Sequence, residues 1–411
     1  MSYDVYKIRE QFPMLHDKTM QGKPLVYLDN ASTTLKPQCV IDACSSYYEK
    51  YNSNSHRGDY DLMYNMDQMV LKTRETIAKF INCQTEEVIF TSGDTLSLNM
   101  IAYGYAAKHL HQGDEIIVSV EEHASNLLPW FTVAKQTGAV IKYLQLNERG
   151  ELTADNLKKI ISNKTKIVSL AHVGNVLGFV CDIVALAKVS HEYGAIIVVD
   201  GAQSVPHIPT DFKGWDIDFL TFSAHKMCGP TGIGCLVGKY HLLEETDPLI
   251  TGGGMNVTFK EDGTIEYLNP PYKFEAGTQN LSGILGFKAA VDFLSSLGMA
   301  NIKNHEEELK KYTIERIKDI KDVEVYNQDS PTGIVTFNLK GIFAQDEATL
   351  FNHKGIAIRS GLHCAKLFPT FLKTPATCRM SIYLYTTKEE IDAFVEALKD
   401  GGNILDAYFS E

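Results

Sequence analysis

With 411 residues, 44% hydrophobic and 22% charged, the chain is long enough for two domains that each bury a core, and its composition excludes a disordered or fibrous protein. Its formal net charge of -12 argues against a general binder of nucleic acid or anionic membrane. No apolar run approaches the length of a membrane span, and the opening MSYDVYKIREQF lacks the basic-then-apolar order of a signal peptide, so a cytosolic protein is expected.

The first segment, to about residue 19, is amphipathic and reads as helical with Pro13 interrupting it. LVYLDNAST then reads as a short strand entering a polar turn over 29–34, and NSNSHRGDYD as a loop between two helical stretches. From Glu87 the alternation is regular: EVIFTSG strand, TLSLNMIAYGYAAKHL helix, DEIIVSV strand, SNLLPWFTVAKQTG helix, VIKYLQL strand. A short helix over 154–162, the strand KIVSLAHV, the helix DIVALAKVSHEYG and the strand AIIVVD complete the series. Strands and helices in turn predict a mostly parallel sheet covered on both faces. After the strand GCLVGK comes a Gly-rich loop over 251–255; beyond about residue 282 two long helical stretches lead into separated strands, and the last helix opens with Thr387 and Glu390 at capping-box spacing. This pattern places a large α/β domain over 20–285 and a smaller α+β domain over 1–19 and 286–411.

Ligands of such sheets bind beyond the carboxyl ends of the strands. Polar residues fall just after strand after strand: Gly93 and Thr95, His123, Asn175, Asp200 and Gln203, then Ser223, His225 and Lys226. Any one of them could be a turn residue, but the series on one edge predicts a single pocket. In the stretch AIIVVDGAQSVPH…FLTFSAHKMCGPTGIG, neighbouring strand ends deliver an acid (Asp200), a hydroxyl (Ser223), an imidazole (His225) and an amine (Lys226). A pyridoxal phosphate enzyme needs this set: an amine for the Schiff base, an acid for the pyridinium nitrogen and hydrogen-bond donors for the phosphate. The head of a helix at Gly93–Thr95 favours an anion, so the phosphate is expected there with Thr95, Ser223 and His225.

The eight cysteines, at 39, 44, 83, 181, 228, 235, 364 and 378, form no CxxC pair and have no His at zinc spacing, so no metal site is expected. Most read as small core hydrophobes. Cys364 is the exception.

DGAQSVPH and SAHKMCGPTGIG resemble the cofactor motifs of the class V aminotransferase superfamily, and specifically of its cysteine desulfurases of the sulfur-mobilisation type. The resemblance runs from YLDNAST to RSGLHCA and CRMSIY, nearly the whole chain. It implies the pyridoxal phosphate-dependent transferase fold type I, with a seven-stranded sheet. It also implies that His123 stacks on the cofactor ring and moves protons, Gln203 donates to the phenolic oxygen, and Asn175 lies beside ring and substrate. Thr278, in KFEAGTQN, would cross a dimer interface to the partner's phosphate, so a homodimer is implied. Arg379, with Arg359 nearby, would grip the substrate carboxylate; Ala31, Ser32 and His56 would be substrate neighbours. Cys364 matches the nucleophile that takes sulfur from L-cysteine as a persulfide and leaves alanine.

Three positions depart from the family pattern. Asp94 stands where a hydroxyl residue is common, and it is expected to turn away from the phosphate and cap the helix. Leu362 replaces the first of two histidines before the cysteine, and the residues after His56-Arg57 differ from the usual run. Fourteen residues from Cys364 to Arg379 resemble the short-loop group, which implies delivery to a sulfur-acceptor protein, SufE-like or SufU-like; Gln345 does not decide whether that acceptor carries zinc. The sulfur would serve iron–sulfur cluster assembly or other trafficking. A selenocysteine lyase, a class V aminotransferase and a non-catalytic sulfur-binding scaffold are the alternatives.

Overall fold

A computed structural model describes residues 3–55 and 60–400; His56, expected near the substrate, lies outside them. The N-terminal helical stretch is split. Helix α1 (Val5–Arg9) is capped by the Asp4 carboxylate, and Pro13 opens a separate turn of 3-10 helix, because proline has no N–H with which to continue the α1 ladder. Strand β1 (Val26–Tyr27) and helices α2 (Gln38–Ser46) and α3 (Asp61–Ile81) come next; in α3, Met66, Val70, Ile77 and Ile81 recur at helical spacing and are buried.

The central sheet is formed by β2 (Val88–Thr91), β3 (Glu115–Ser119), β4 (Val140–Leu144), β5 (Thr165–Ala171), β6 (Ile196–Asp200), β7 (Phe219–Ser223) and β8 (Gly234–Gly238). Its order is β2-β8-β7-β6-β5-β3-β4, with β8 antiparallel to both neighbours and the remaining pairs parallel. Successive strand side chains point to opposite faces and so divide two cores. Ile117, Ile197 and Val199 pack with α3 and α6 (Ile183–Glu192), whereas Ile116, Val118 and Val198 pack with α4 (Asp94–Met100) and Trp130 of α5 (Leu128–Thr137). The strands therefore read as unbroken apolar runs. At Gly234 a Cβ would lie 2.5 Å from Phe222 O and 2.6 Å from Gly93 Cα, so glycine lets the ends of β2, β7 and β8 close together under the site.

The single helix expected after β2 contains a π stretch. Helix α4 passes into π geometry over Ile101–Ala106 and back to α over Ala107–His109. Gly104 lies inside the π turn, its carbonyl accepting from Asp247 N–H at 3.0 Å, and a Cβ there would meet Asp247 O at 2.2 Å. The close approach of Asp247, just beyond a helix over Tyr240–Glu245, accounts for the bulge. A second difference is the hairpin β9 (Asn256–Phe259) and β10 (Ile265–Tyr267) after the Gly-rich loop, with Val257 and Phe259 well exposed.

Helices α7 (Leu281–Leu297) and α8 (Met299–Ile317) lead to the smaller layer. Here β11 (Val323–Val325), β12 (Ile334–Leu339), α9 (Ala344–His353), β13 (Ile356–Ala357), β14 (Arg359–Gly361), β15 (Thr377–Ser381) and α10 (Lys388–Lys399) form an antiparallel sheet, β11-β12-β15-β14, under two helices. Phe351 and Phe394 stack at 5.1 Å with Phe337 edge-on to both. The Thr387/Glu390 capping box is present on α10. Strand β1, although early in the chain, pairs with β13, and Val26 and Leu28 join this core. The two layers are bolted by buried polar contacts: Asn327 to Leu177 O at 2.7 Å, Thr332 to Gly178 O at 2.8 Å, Tyr383 to Pro206 O at 3.1 Å and His207 to Glu306 at 2.9 Å. Among the described residues no single helix is long and apolar enough to cross a membrane.

Candidate active site

A cavity of about 170 Å³ lies between the carboxyl ends of β2, β3, β5, β6 and β7 and the β14–β15 side of the small layer. Its lining brings together Ala31, Ser32, Thr95, His123, Asn175, Asp200, Gln203, Ser223, His225, Lys226, Arg359 and Arg379. Thr278 is not among them; in this single chain it lines a neighbouring cavity with Ser92, Gly232 and Asn280.

Lys226 ends a short 3-10 turn directly after β7. Burial pushes its ammonium form down, opposed by Asp200 and Asp94 and assisted by the charges of Arg379 and Arg359. The Asp200 carboxyl is pushed up by burial, with Lys226 and the Ala202 N–H at 2.9 Å pulling it back. The backbone of His225 is fixed from the opposite side, since its carbonyl accepts from Thr34 N–H at 3.0 Å and from Lys36 Nζ at 2.9 Å. Its ring, facing Thr33 Oγ1 at 3.2 Å, is held neutral by burial and by Lys226, its pKa down at about 4.

His123 comes after β3 and its tautomer can be read from its contacts. Nδ1 accepts the Ser125 N–H at 3.1 Å, so the ring proton sits on Nε2. Burial, reinforced by Lys226, Arg359 and Arg379, brings its pKa down to about 4, and the ring is a neutral N–H donor at physiological pH. Ser125 Oγ also meets Thr95 Oγ1 at 2.8 Å, tying the imidazole to the head of α4. Gln203 uses an amide hydrogen on Ala31 O at 2.8 Å and leaves Oε1 enclosed with no partner.

Asp94 does not turn away. It is the first residue of α4, makes no side-chain cap, and is buried against the cavity with Oδ1 unpartnered. The physical reason is local: its N–H is already held by Ser223 Oγ at 2.8 Å, which fixes the backbone so that the side chain points inward.

The opposite wall carries the arginines. Arg359 and Arg379 are cross-strand partners on β14 and β15, and both reach Ser32 Oγ at 3.1 Å. Arg379, 1% exposed, also donates to Asn175 O at 2.8 Å and faces Asp29 at 3.4 Å. Burial and the neighbouring guanidinium bring its pKa down to about 10. The second Nη of Arg359 lies 3.4 Å from Cys364 Sγ. The cysteine loop is pinned: His363 O accepts from Asn175 Nδ2 at 2.7 Å, Cys364 O from Ala124 N–H at 2.9 Å, and His363 Nε2 meets Thr377 Oγ1 at 2.9 Å. His363 and Cys364 both have positive φ, 50° and 59°, a strained pair of non-glycine residues at a candidate nucleophile.

Several contributors are missed by sequence reasoning. Ser125 orients His123, Lys36 and Thr34 hold the His225 carbonyl, Asp29 pairs with Arg379, and Thr377 holds His363. Ser125, two residues beyond His123, carries a local side-chain-to-backbone spacing that could have been found; the others act across 14 to 350 residues of sequence separation and leave no local signal.

The sequence matches the family model described as Aminotransferase class-V over residues 26–394. The chain belongs to this family. Among its class V relatives, a probable cysteine desulfurase of Halalkalibacterium halodurans is 44% identical over 398 residues, 96% of this chain and 97% of that one. A cysteine desulfurase of Haloferax volcanii is 42% identical over 412 residues, with 96% of each chain covered. In structure, the cysteine desulfurase CsdA of Escherichia coli, solved in an S-sulfonic acid form, superposes with a TM-score of 0.91 at 34% identity over 99% of both chains. Within the class V family the chain groups with the cysteine desulfurases.

Proposed function

We propose that the chain is a pyridoxal phosphate-dependent cysteine desulfurase that converts L-cysteine to L-alanine and takes the sulfur onto Cys364. The observation that carries this reading is the placement of the thiol beside the cavity: Cys364 is not itself in the lining, but its Sγ is 3.4 Å from Arg359 and its neighbour His363 is in the lining with Arg359 and Lys226. The residues fit the cofactor. A buried acid at Asp200, a depressed amine at Lys226, the second amide hydrogen of Gln203, whose first is given to Ala31 O, and hydroxyl and imidazole groups at the head of α4 match the ring nitrogen, aldehyde, phenolic oxygen and phosphate in kind. When bound, the cofactor draws the electron pair of the substrate Cα–H bond into its ring.

The chain's own groups do the rest. Arg379 and Arg359 orient the substrate carboxylate, with Ser32 and Asn175 fixing the guanidinium planes. Lys226 Nζ, its ammonium disfavoured by burial, removes the Cα proton. Cys364 Sγ attacks the substrate sulfur; an S–S bond forms, the C–S bond breaks, and the carbon takes a proton from Lys226 or from His123 Nε2–H. Exposed Leu362 and Leu367 beside Cys364 support docking of a sulfur-acceptor protein, and exposed Val257 and Phe259 on the β9–β10 hairpin support a homodimer in which Thr278 reaches the partner's phosphate. The sulfur then serves iron–sulfur cluster assembly or thiolation in the cytoplasm.

The test measures alanine and sulfide from L-cysteine plus reductant. Wild type releases both, Cys364→Ala releases neither, and Lys226→Ala lacks the visible absorbance of the loaded protein. Equal turnover by wild type and Cys364→Ala contradicts the reading.

A further inference from the structure

Asp94 takes no part in the steps proposed above, yet it is built into the cavity. Its backbone is anchored to Ser223 Oγ, its side chain is 6% exposed, and Oδ1 is enclosed without a hydrogen bond. The Thr221 hydroxyl, on the strand beneath, is likewise enclosed and faces the Asp94 carboxyl. The charged groups facing Asp94 come from three elements: Asp200 at the end of β6, Lys226 after β7 and Glu122 after β3. Two of the three are acids. An ionised Asp94 would therefore be poorly solvated at Oδ1 and opposed by two like charges, with Lys226 its one countercharge among these groups.

The same backbone position opens α4, where the N–H groups and the dipole favour an anion, and where Thr95 and Ser223 present hydroxyls to the cavity. A carboxylate and a phosphate monoester cannot both be charged there without strong repulsion.

We propose that Asp94 is a positioning residue for the cofactor phosphate that works only as the neutral acid: with its proton on, the ester seats at the head of α4, and with its proton lost to solvent, the ester is repelled. The proposal rests on the reading of the chain as a pyridoxal phosphate enzyme. Burial first, then Asp200, push the Asp94 pKa up to about 8, with Thr221 and Lys226 opposing, which puts the change inside the accessible pH range. The ester itself is fully ionised across the alkaline side, so its own titration does not intervene. Removing Asp94 also shifts the titration of Lys226, which Asp94 holds up, and pyridoxal, which meets the same amine without an ester, reports that shift separately.

The experiment titrates cofactor-stripped protein with pyridoxal phosphate and, separately, with pyridoxal, which lacks the phosphate, at about pH 7 and about pH 9.5. Wild type is compared with Asp94→Asn and Asp94→Thr; dissociation constants are read from the visible band and from protein fluorescence, and thermal melts report folding. The expected result is that wild type loses on the order of ten-fold more affinity for pyridoxal phosphate than either variant between the two pH values, with no such excess for pyridoxal. Parallel losses in wild type and variants overturn the proposal, as does an equal excess for pyridoxal, which would make Asp94 a structural acid with no part in seating the ester. If one variant fails to fold, the other decides. Absence of pyridoxal phosphate binding by wild type at both pH values overturns the cofactor reading itself, a separate outcome.

Discussion

The floor of the cavity, made of strand ends, and its wall, made of β14, the cysteine loop and β15, carry acids and arginines respectively and hold them by different means. On the floor, Asp200 at the end of β6 and Asp94 at the head of α4 face Lys226, with Glu122 behind them toward Asp200, all anchored at the strand ends of a rigid sheet. On the wall, Arg359 and Arg379 face the single carboxylate of Asp29, and the thiol is suspended on a loop whose shape depends on side-chain contacts from both layers. The acidic floor suits a cationic ring nitrogen and a covalently held partner. The over-positive wall, with Arg379 brought down to about 10, suits an incoming carboxylate. Chemistry that must not move sits on strands, and chemistry that must exchange an atom with a visitor sits on a pinned loop.

The sharpest way to break this comparison is to remove the floor's amine. Lys226→Ala should lower alanine formation by about 10³-fold or more, because both the cofactor tether and the proton acceptor are lost. On the wall, Arg379→Ala should raise KM for L-cysteine on the order of 100-fold with a smaller fall in kcat, measured by initial rates. If kcat alone falls, the wall does not bind the carboxylate.

The histidines separate the two regions by pH. His363, on the wall, is brought down to about 2 by burial and then by Arg379 and Arg359. Its folded pKa lies below the unfolded value, so the unfolded chain binds more protons as pH falls; the stability it contributes is complete above about pH 6.5 and declines through the acid range toward its folded pKa. At about pH 5 denaturant melts should show a loss of about 2 kcal/mol relative to pH 7 that His363→Asn lacks. His225 on the floor, down to about 4, should lose nearly as much stability down to about pH 5 and then level off below about pH 4, where its folded form takes up the proton and His363 does not.

The smallest expected effect is the most specific. Asn175→Ala frees the His363 carbonyl from its 2.7 Å restraint. Sulfur transfer should fall about ten-fold, a larger change than in the visible band or in KM, since Asn175 lines the cavity but spends its side-chain hydrogen bond on the cysteine loop.

Much of the floor is legible in the sequence because each contributor lies within a few residues of a strand end. The apolar runs fix β6 and β7, and the polar residues that close them, Asp200 and Ser223 to Lys226, can only emerge at the carboxyl edge. The capping box of α10 is local and is read for the same reason. The wall is legible only as isolated residues. That Arg359 meets Cys364, that both arginines converge on Ser32, and that Asn175 holds the cysteine loop depend on β14 pairing with β15 and on the docking of two layers. Asp94 shows the limit from the other side. Its identity suggests a cap, but a tertiary hydrogen bond from its N–H to Ser223 turns its side chain inward. The hairpin β9–β10 is missed although Asp262-Gly263 is a turn signal, because Phe259 and Val257 face solvent and no burial pattern marks its strands.

The central claim is that Cys364 receives the sulfur atom of L-cysteine. Protein loaded with pyridoxal phosphate, exposed anaerobically to L-cysteine without reductant and analysed by peptide mass spectrometry, should carry one additional, reductant-labile sulfur on the peptide containing Cys364. Alanine released in stoichiometric amount while that peptide stays unmodified, or sulfur found on another cysteine in its place, would contradict it.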